Sequence, residues 1–123
     1  MIRAVIARPV DRVELEAEFT AICPVDNTVD NYLIRIMYKP RCDNDRCMYL
    51  ELGSFREFLD SFKNRAVYHE DLINEVMDEI VRSINPAELS ITLVSNYRGI
   101  RYVIERNLNN KASNADPNPN PPL

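Results

Sequence analysis

The sequence has few of the residues that mark secreted, metal-binding or membrane proteins. Its 123 residues include 3 cysteines and 1 histidine, and an odd cysteine count does not fit the paired framework of a disulfide-rich secreted domain. No run approaches the roughly 18 apolar residues that a membrane span needs. Residues 1–9 are too short and too basic for a signal-peptide core. These absences predict a cytoplasmic protein with reduced thiols and no membrane association.

An excess of positive charge is also missing, since the formal net charge is −4. Such a charge argues against binding nucleic acid by bulk electrostatics. A local basic face is still compatible with the sequence, and its candidates are Arg3, Arg8, Arg12, Lys39, Arg41 and Arg46. Cys42 and Cys47 lie close together, but the histidine is far along the chain. We therefore expect incidental thiols there and no metal site.

Length and composition predict one domain flanked by two unpatterned segments. A chain of 123 residues, 46% of them hydrophobic, is large enough for one core and too small for two. Residues 1–12 are expected to be an N-terminal arm, and residues 13–108 the folded domain. Residues 109–123 are rich in proline and asparagine. Because they have little to bury, they are predicted to be disordered.

Four segments alternate between apolar and polar residues, as half-buried strands do. They cover about residues 13–20, 32–38, 89–93 and 100–105. The first two are joined by a short loop and most simply form an antiparallel pair. Arg98-Gly99 predicts a hairpin turn between the last two.

Two amphipathic helices are predicted between the second and third strands. Ser54 is the expected N-cap of the first, with Glu57 in the capping-box position. The second begins at His69 and ends at Asn85-Pro86. The order strand-strand-helix-helix-strand-strand predicts an α+β fold, a four-stranded antiparallel sheet with two helices on one face. The open edges of such a sheet favour pairing with further copies of the chain.

The loop from Cys23 to Asp30 has the strongest chemical character in the sequence. Pro24 cannot donate to a sheet ladder, so the first strand must end at about Cys23. The thiol is then presented on a loop, with the Asp30 carboxyl at the start of the next strand. Reactive groups are often mounted on loops held by a rigid scaffold. A structural cysteine followed by a polar turn is the alternative.

Several motifs together resemble the nitrile reductase family that acts on 7-cyano-7-deazaguanine. They are Cys23-Pro24-Val25 with Asp30, Glu51-Leu52 at the start of a helix, residues 61–65, and His69-Glu70. More narrowly, they resemble the shortened archaeal QueF-like branch, which makes archaeosine in tRNA. The similarity extends from about Val13 to Glu105. It implies the tunnelling fold (T-fold), whose subunits assemble strand to strand into barrels, so we expect a ring-shaped homo-oligomer of one ring or two stacked rings.

The resemblance also implies a role for each matching position. Cys23 would add to the nitrile carbon and form a covalent thioimide, and Asp30 would deliver the proton to the nitrile nitrogen. Glu70 would bind the guanine-like edge of the base, and His69 would help to seat it. Leu50, Glu51 and Leu52 match a segment that lines the same pocket. The pocket lies between subunits in this family, so Cys23 and Glu70 of one site could come from different chains.

One departure from the family concerns the helix-entry motif associated with NADPH. At the two lysine positions of that motif this chain has Gly53 and Arg56, and Glu57 replaces an apolar residue. One cation is lost and an anion is gained, which disfavours a dinucleotide with three phosphates. We therefore predict that ammonia resolves the thioimide without a cofactor. An NADPH-dependent reductase and a non-catalytic T-fold module are the alternatives, and the substrate base could be free, in tRNA or in DNA.

Overall fold

The computed structural model describes residues 1–109, which form two sheets and two helices. The strands are β1 (Ala4–Ala7), β2 (Val13–Ile22), β3 (Val29–Lys39), β4 (Cys42–Asp43), β5 (Arg46–Leu50), β6 (Glu88–Tyr97) and β7 (Ile100–Asn109), and the helices are α1 (Leu52–Asp60) and α2 (His69–Ile84). This confirms the predicted α+β class. The segment predicted to be disordered lies, apart from Asn109, outside the described residues. Neither helix within residues 1–109 combines the length and the apolar character that crossing a bilayer requires.

The main sheet has four antiparallel strands in the order β2-β3-β6-β7. The alternation seen in the sequence sets its two faces, because successive side chains of a strand point to opposite sides. On β3 the helix-facing residues are all buried: Asp30, Tyr32, Ile34, Ile36 and Tyr38. Both helices supply apolar residues to the same core, including Phe55, Leu59, Leu72, Val76 and Ile80. The opposite face of the sheet carries the glutamates of β2.

The second helix begins and ends where the sequence predicts. Acidic residues in the first turn of α2 complement the positive end of the helix dipole. Asn85 adopts a left-handed conformation with φ 40° and ends the helix, and Pro86 follows.

The predicted N-cap of the first helix is wrong. Glu51 is the N-cap of α1, and its carboxylate accepts hydrogen bonds from the backbone N–H groups of Gly53 and Ser54. The Ser54 hydroxyl instead accepts from the N–H of Arg3 at 2.9 Å and donates to the Glu51 carbonyl. A longer acidic side chain one turn earlier thus satisfies the free N–H groups that Ser54 was expected to serve.

A second, smaller sheet contains elements that the sequence did not predict. β1 pairs with β5, and β5 pairs with β4, all antiparallel. The segment expected to be an unpatterned arm therefore contains a strand that joins the body of the fold. Cys42 and Cys47 face each other across this hairpin and form a disulfide. The prediction that they are reduced, incidental thiols is wrong, because the strand register brings them side by side.

The chain between the helices lies along the end of β2. Ile22 forms a parallel bridge with Ala66. The Ile22 N–H donates to the Arg65 carbonyl at 2.8 Å, and the Val67 N–H donates to the Ile22 carbonyl at 3.2 Å. These bonds fix where α2 begins, so they place His69 beside the end of β2 and the loop that follows it.

Candidate active site

A cavity of about 330 Å³ opens where the main sheet meets the beginning of α2. The β2–β3 loop, the start of α2 and the β6–β7 hairpin all contribute to it. Its lining residues are Cys23, Pro24, Val25, Asp30, Tyr68, His69, Tyr97, Ile100 and Tyr102. The structure therefore brings together Cys23, Asp30 and His69, which the sequence placed at three separate positions. The volume suits a small heteroaromatic ligand.

The loop that carries Cys23 is closed by backbone hydrogen bonds. The Cys23 N–H donates to the Thr28 carbonyl at 2.8 Å, and the Asn27 N–H donates to the Cys23 carbonyl at 2.9 Å. Asn27 has φ 63°, a left-handed conformation that asparagine tolerates well. Cys23 is half-buried and has a free thiol. The turn therefore holds the thiol at the cavity wall without consuming it.

The Asp26 carboxylate stabilises this loop from within and ties it to β6. One oxygen accepts bonds from the Thr28 hydroxyl at 2.7 Å and from the Thr28 N–H at 3.1 Å. The other accepts from the Tyr97 hydroxyl at 2.8 Å. Hydrogen bonds from Thr28, followed by those from Tyr97 and the Cys23 side chain, hold the pKa of Asp26 well below its usual value. Asp26 is therefore ionised and acts as a fixed acceptor beside the thiol.

Asp30, the proposed proton donor, lies in a buried polar cluster. It is 4% exposed, on the helix-facing side of β3. The Tyr32 hydroxyl lies 3.4 Å from Asp30 Oδ2 and 2.6 Å from His69 Nδ1. Burial, reinforced by the nearby Asp30 charge, raises the pKa of Tyr32 far above its usual value. The phenol is therefore neutral and bridges the carboxyl and the imidazole.

Glu70 borders the cavity through Tyr102. The Tyr102 hydroxyl donates to Glu70 Oε2 at 2.5 Å, and this bond lowers the pKa of Glu70. The Tyr102 ring also contacts the His69 ring, with 5.3 Å between centroids. The Glu70 backbone N–H also bonds to this carboxylate, which lowers the pKa of Glu70 further. Cys23 lines the cavity, and Glu70 adjoins it through Tyr102.

Leu50, Glu51 and Leu52 do not line this cavity. Glu51 pairs with Arg3 at 3.1 Å, and hydrogen bonds from Ser54 and Gly53 lower its pKa to about 2. Its neighbourhood includes Ile2, whose N–H donates to Glu79, ten positions after His69 on α2. At 1.5 Å per residue, that separation is about 15 Å along the helix. Within one chain, residues 50–52 therefore lie far from Cys23. Leu50 is buried, and Leu52 is 65% exposed.

The sequence analysis missed the aromatic walls of the cavity. Tyr68, Tyr97 and Tyr102 line the cavity, and Tyr32 lies behind it, bonded to His69. They come from β3, the start of α2 and the β6–β7 hairpin, and each alone resembles an ordinary strand or cap residue. The period of two offered one signal, because it puts Tyr32 on the same face as Asp30. Within residues 1–109, no three side chains of histidine, cysteine, aspartate or glutamate are grouped as metal ligands would be.

This arrangement is suited to covalent chemistry on a flat ring. The aromatic walls can hold a planar heterocycle, and the Glu70 carboxylate can accept N–H groups from its edge. The Cys23 thiol can add to an electrophilic carbon, and Asp30 lies where a carboxyl can protonate the atom that becomes negative.

Comparisons with known proteins agree in sequence and in structure. The family model described as QueF-like protein matches residues 30–113, which include Asp30, His69 and Glu70 and begin seven residues after Cys23. The archaeosine synthase of Pyrobaculum calidifontis is 26% identical over 92 residues, which cover 75% of this chain and 80% of that protein. The NADPH-dependent 7-cyano-7-deazaguanine reductase of Prochlorococcus marinus is 33% identical over 89 residues, covering 72% of this chain and 62% of the reductase.

A solved structure shows the same architecture. The crystal structure of the archaeosine synthase QueF-Like in the apo form superposes with a TM-score of 0.74 at 24% identity, covering 81% of this chain and 95% of that one. The similarity confirms the predicted tunnelling fold. The matched part of the chain spans about three fifths of the Prochlorococcus reductase and four fifths of the Pyrobaculum synthase.

Proposed function

The chain belongs to the QueF-like protein family, and we propose that it converts the nitrile of 7-cyano-7-deazaguanine in tRNA to the amidine of archaeosine. The observation that carries this proposal is the cavity itself, where a free thiol and a buried carboxyl meet among tyrosines, one of which holds the ionised Glu70 carboxylate beside the cavity. The similarity to an archaeosine synthase over most of both chains supports it. The chain thus acts as an enzyme on a nitrile rather than as a non-catalytic module.

The proposed chemistry begins with Cys23. Its sulfur adds to the nitrile carbon, the nitrogen takes a proton from Asp30, and the product is a thioimide. Ammonia then adds to the same carbon, and the carbon–sulfur bond breaks as the amidine forms. The sum of these steps is nitrile plus ammonia giving amidine, with Cys23 and Asp30 restored. No electrons are transferred, so the sequence of steps needs no redox cofactor.

Substrate binding falls to the groups around the cavity mouth. The Tyr102 hydroxyl lowers the pKa of Glu70, which keeps this carboxylate ionised for the N–H donors of the base. His69 lines the wall and packs against the rings of Tyr32 and Tyr102. Glu70→Ala is expected to weaken binding of the base, because it removes the acceptor of those donors.

The helix-entry residues do not fit NADPH. A side-chain carbon at Gly53 would lie 3.0 Å from Glu51 Oε2, because that carboxylate caps the helix over it. Arg56, the remaining cation of the motif, already pairs with Asp60 at 2.9 Å and donates to the Glu18 carbonyl at 3.0 Å. A phosphate would have to displace Asp60 and would face Glu57. These contacts support resolution by ammonia rather than by hydride.

Assembly into rings would complete the site. In the described part of the chain, β2 and β7 are the outer strands of the main sheet, and their edges can pair with further copies. Leu50, Glu51 and Leu52 could then line a neighbour's cavity, since they do not reach their own. We propose a ring-shaped homo-oligomer, as one ring or two stacked rings, that acts in the cytoplasm on tRNA. Light scattering that gave only a 14.3 kDa monomer under active conditions would contradict the rings.

The deciding experiment separates the candidate reactions by their products. The protein is incubated with tRNA carrying the cyano base and an ammonium salt, and nucleosides are analysed by mass spectrometry. We expect the amidine without any cofactor, and a protein–base adduct in intact mass that Cys23→Ala abolishes. An adduct absent from the wild type would overturn the proposal. Binding of tRNA measured over a salt series tests whether tRNA is the substrate, since phosphate contacts weaken steeply with salt.

Reduction of the nitrile is the second candidate, and the 33% identity to reductases favours it. It predicts oxidation of NADPH coupled to loss of the base and an aminomethyl product. Saturable NADPH binding together with the absence of amidine would decide for the reductase.

A further inference from the structure

Tyr32 connects two polar groups of the site that have no bond to each other. Its hydroxyl lies 2.6 Å from His69 Nδ1 and 3.4 Å from Asp30 Oδ2. Tyr32 is 2% exposed and Asp30 is 4% exposed, so bulk water has little access to either group. We propose that the Tyr32 hydroxyl relays a proton from His69 to Asp30 as Asp30 protonates the nitrile nitrogen. This inference rests on the proposed function and assigns a role to a residue that does not touch the substrate.

The relay follows from the number of protons that the three groups share. A hydroxyl has one proton, so it donates to one neighbour and can accept from the other. In one state a protonated Asp30 donates to Tyr32, which donates to His69 Nδ1. In the other, a protonated His69 Nδ1 donates to Tyr32, which donates to the Asp30 carboxylate. The two states differ by the transfer of one proton from each group to the next.

The proton balance of the proposed reaction requires such a return path. Adding Cys23 across the nitrile removes one proton from the thiol and places one on nitrogen, so the step needs no external proton. Asp30 supplies the proton that nitrogen gains, and must therefore regain one. His69 lines the same cavity as Cys23 and can receive the thiol proton at Nε2 while Nδ1 passes its proton to Tyr32. Passage from His69 through Tyr32 then returns Asp30 to its protonated form and closes the cycle.

Packing holds the hydroxyl in the position that a relay requires. The Tyr32 ring stacks on Phe19 with centroids 5.2 Å apart, and the His69 ring meets its edge at 5.5 Å. Burial raises the pKa of Tyr32, so the phenol passes a proton on without ionising. The titratable groups that face this pair are Asp30 from β3, Cys23 from the loop, Glu70 from α2 and Tyr102 from β7. Tyr32 is therefore a positioning residue that acts through Asp30.

The test compares thioimide formation in two matched variants. Tyr32→Phe keeps the ring and removes the hydroxyl. Tyr49→Phe removes a hydroxyl that donates to the Arg8 carbonyl at 2.6 Å and accepts from the Val10 N–H at 3.0 Å, away from the site. At saturating cyano base we expect Tyr32→Phe to form the adduct about tenfold more slowly, less than the roughly hundredfold loss expected when the general acid itself is removed. Tyr49→Phe should match the wild type.

A proton inventory separates a relay from a merely structural role. Rates of adduct formation are measured in mixtures of H₂O and D₂O. The wild type should depend on the deuterium fraction with the curvature of several protons in transfer, and Tyr32→Phe should lose that curvature.

The outcomes are distinguishable from those of the proposed function. Adduct formation by Tyr32→Phe at the wild-type rate would overturn the relay and leave the proposed function in place. If Tyr32→Phe does not fold, a linear inventory in the wild type would overturn the relay by itself. A wild-type protein that forms no adduct would overturn both, because the relay serves that step.

Discussion

Two turns of the chain carry all three cysteines, and each joins a residue to the one five positions later. In the first turn the Cys23 N–H donates to the Thr28 carbonyl at 2.8 Å. In the second, Cys42 and Cys47 form a disulfide. Asparagine adopts a left-handed conformation in both, with φ 63° at Asn27 and 60° at Asn44. Similar turns are therefore closed in two ways, one by hydrogen bonds and the other covalently.

The difference decides which turn can do chemistry. A disulfide consumes both thiols, and Cys47 is fully buried. The first turn uses its backbone and the Asp26 carboxylate for closure, so the Cys23 thiol remains free at the cavity wall. The hydrogen bond that Asp26 accepts from the Tyr97 hydroxyl also ties the turn to β6. The lesson is that a cysteine in a hairpin becomes a candidate nucleophile only where other groups take over the closing of the turn.

Removing Cys23 should produce the largest loss of activity, whereas removing the cysteines of the second turn should leave activity nearly unchanged. Cys23→Ala is expected to lower the rate of amidine formation by about a thousandfold or more, because no other group in the cavity can form the thioimide. The matched control is the pair Cys42→Ala and Cys47→Ala, which should stay within about threefold of the wild type. Nucleoside mass spectrometry measures both. A Cys23→Ala protein with near-normal turnover would show that Cys23 is not the nucleophile.

The next effect comes from a carboxylate near each turn, Asp30 after the first and Asp43 within the second. Asp30→Asn should slow thioimide formation by about a hundredfold while the base still binds, the usual contribution of a placed general acid. Asp43→Asn, at an exposed position of the disulfide hairpin, should change nothing. Stopped-flow formation of the adduct gives the rate, and calorimetry gives the affinity. If Asp30→Asn bound no base while Glu70→Ala bound normally, the two proposed roles would have to be exchanged.

Breaking the covalent turn should cost stability rather than activity. Closure of so small a loop contributes about 2 kcal/mol to the free energy of unfolding in the chain-entropy account. The double variant Cys42→Ala with Cys47→Ala should lose about this amount in urea unfolding. Reductant should destabilise the wild type by a similar amount and leave the variant unchanged. A wild type insensitive to reductant would contradict the assigned role of the disulfide.

The smallest effect concerns the turn that is closed by hydrogen bonds. The pKa of Asp26 is depressed in the folded protein, so its contribution to stability is present above the ordinary aspartate value of about 4 and is lost as pH falls below it. Asp26→Asn should lower the unfolding midpoint at pH 7 by a small amount, and this difference from the wild type should be smaller at pH 3. Thermal unfolding of both proteins at the two pH values measures the difference. A difference that grew in acid would contradict the predicted direction of the pH effect.

Local patterns predicted the parts of the fold whose cause is local. Alternation gave the four main strands, and Arg98 and Gly99 both adopt positive φ in the predicted hairpin turn. The end of α2 at Asn85 was also predicted, because Asn85-Pro86 is a local stop signal. The pairing of β1 with β5 was not predicted, because four residues with little alternation carry no sign of a partner forty or more positions away. The disulfide was missed with it, since it depends on the register of the hairpin that β5 forms.

The site residues that belong to short motifs were predictable from the sequence, and the single tyrosines were not. The spacing of Cys23, Asp30, His69 and Glu70 pointed to a family, and the fold brings the first three around one cavity. Tyr97 and Tyr102 gave no such signal, because a tyrosine in a strand is ordinary. Their positions depend on the register of β6 against β3 and of β7 against β6, which no local pattern specifies.

That register has a consequence for the order of folding. β2 with β3, and β6 with β7, are hairpins between neighbouring segments, whereas Tyr32 pairs with Ser95 across a loop of about sixty residues. Closing that loop is the slow, entropically costly event, and only then do Tyr97 and Tyr102 meet the Cys23 turn. A chain still being synthesised therefore carries its thiol without a cavity, and catalytic competence appears together with the completed sheet.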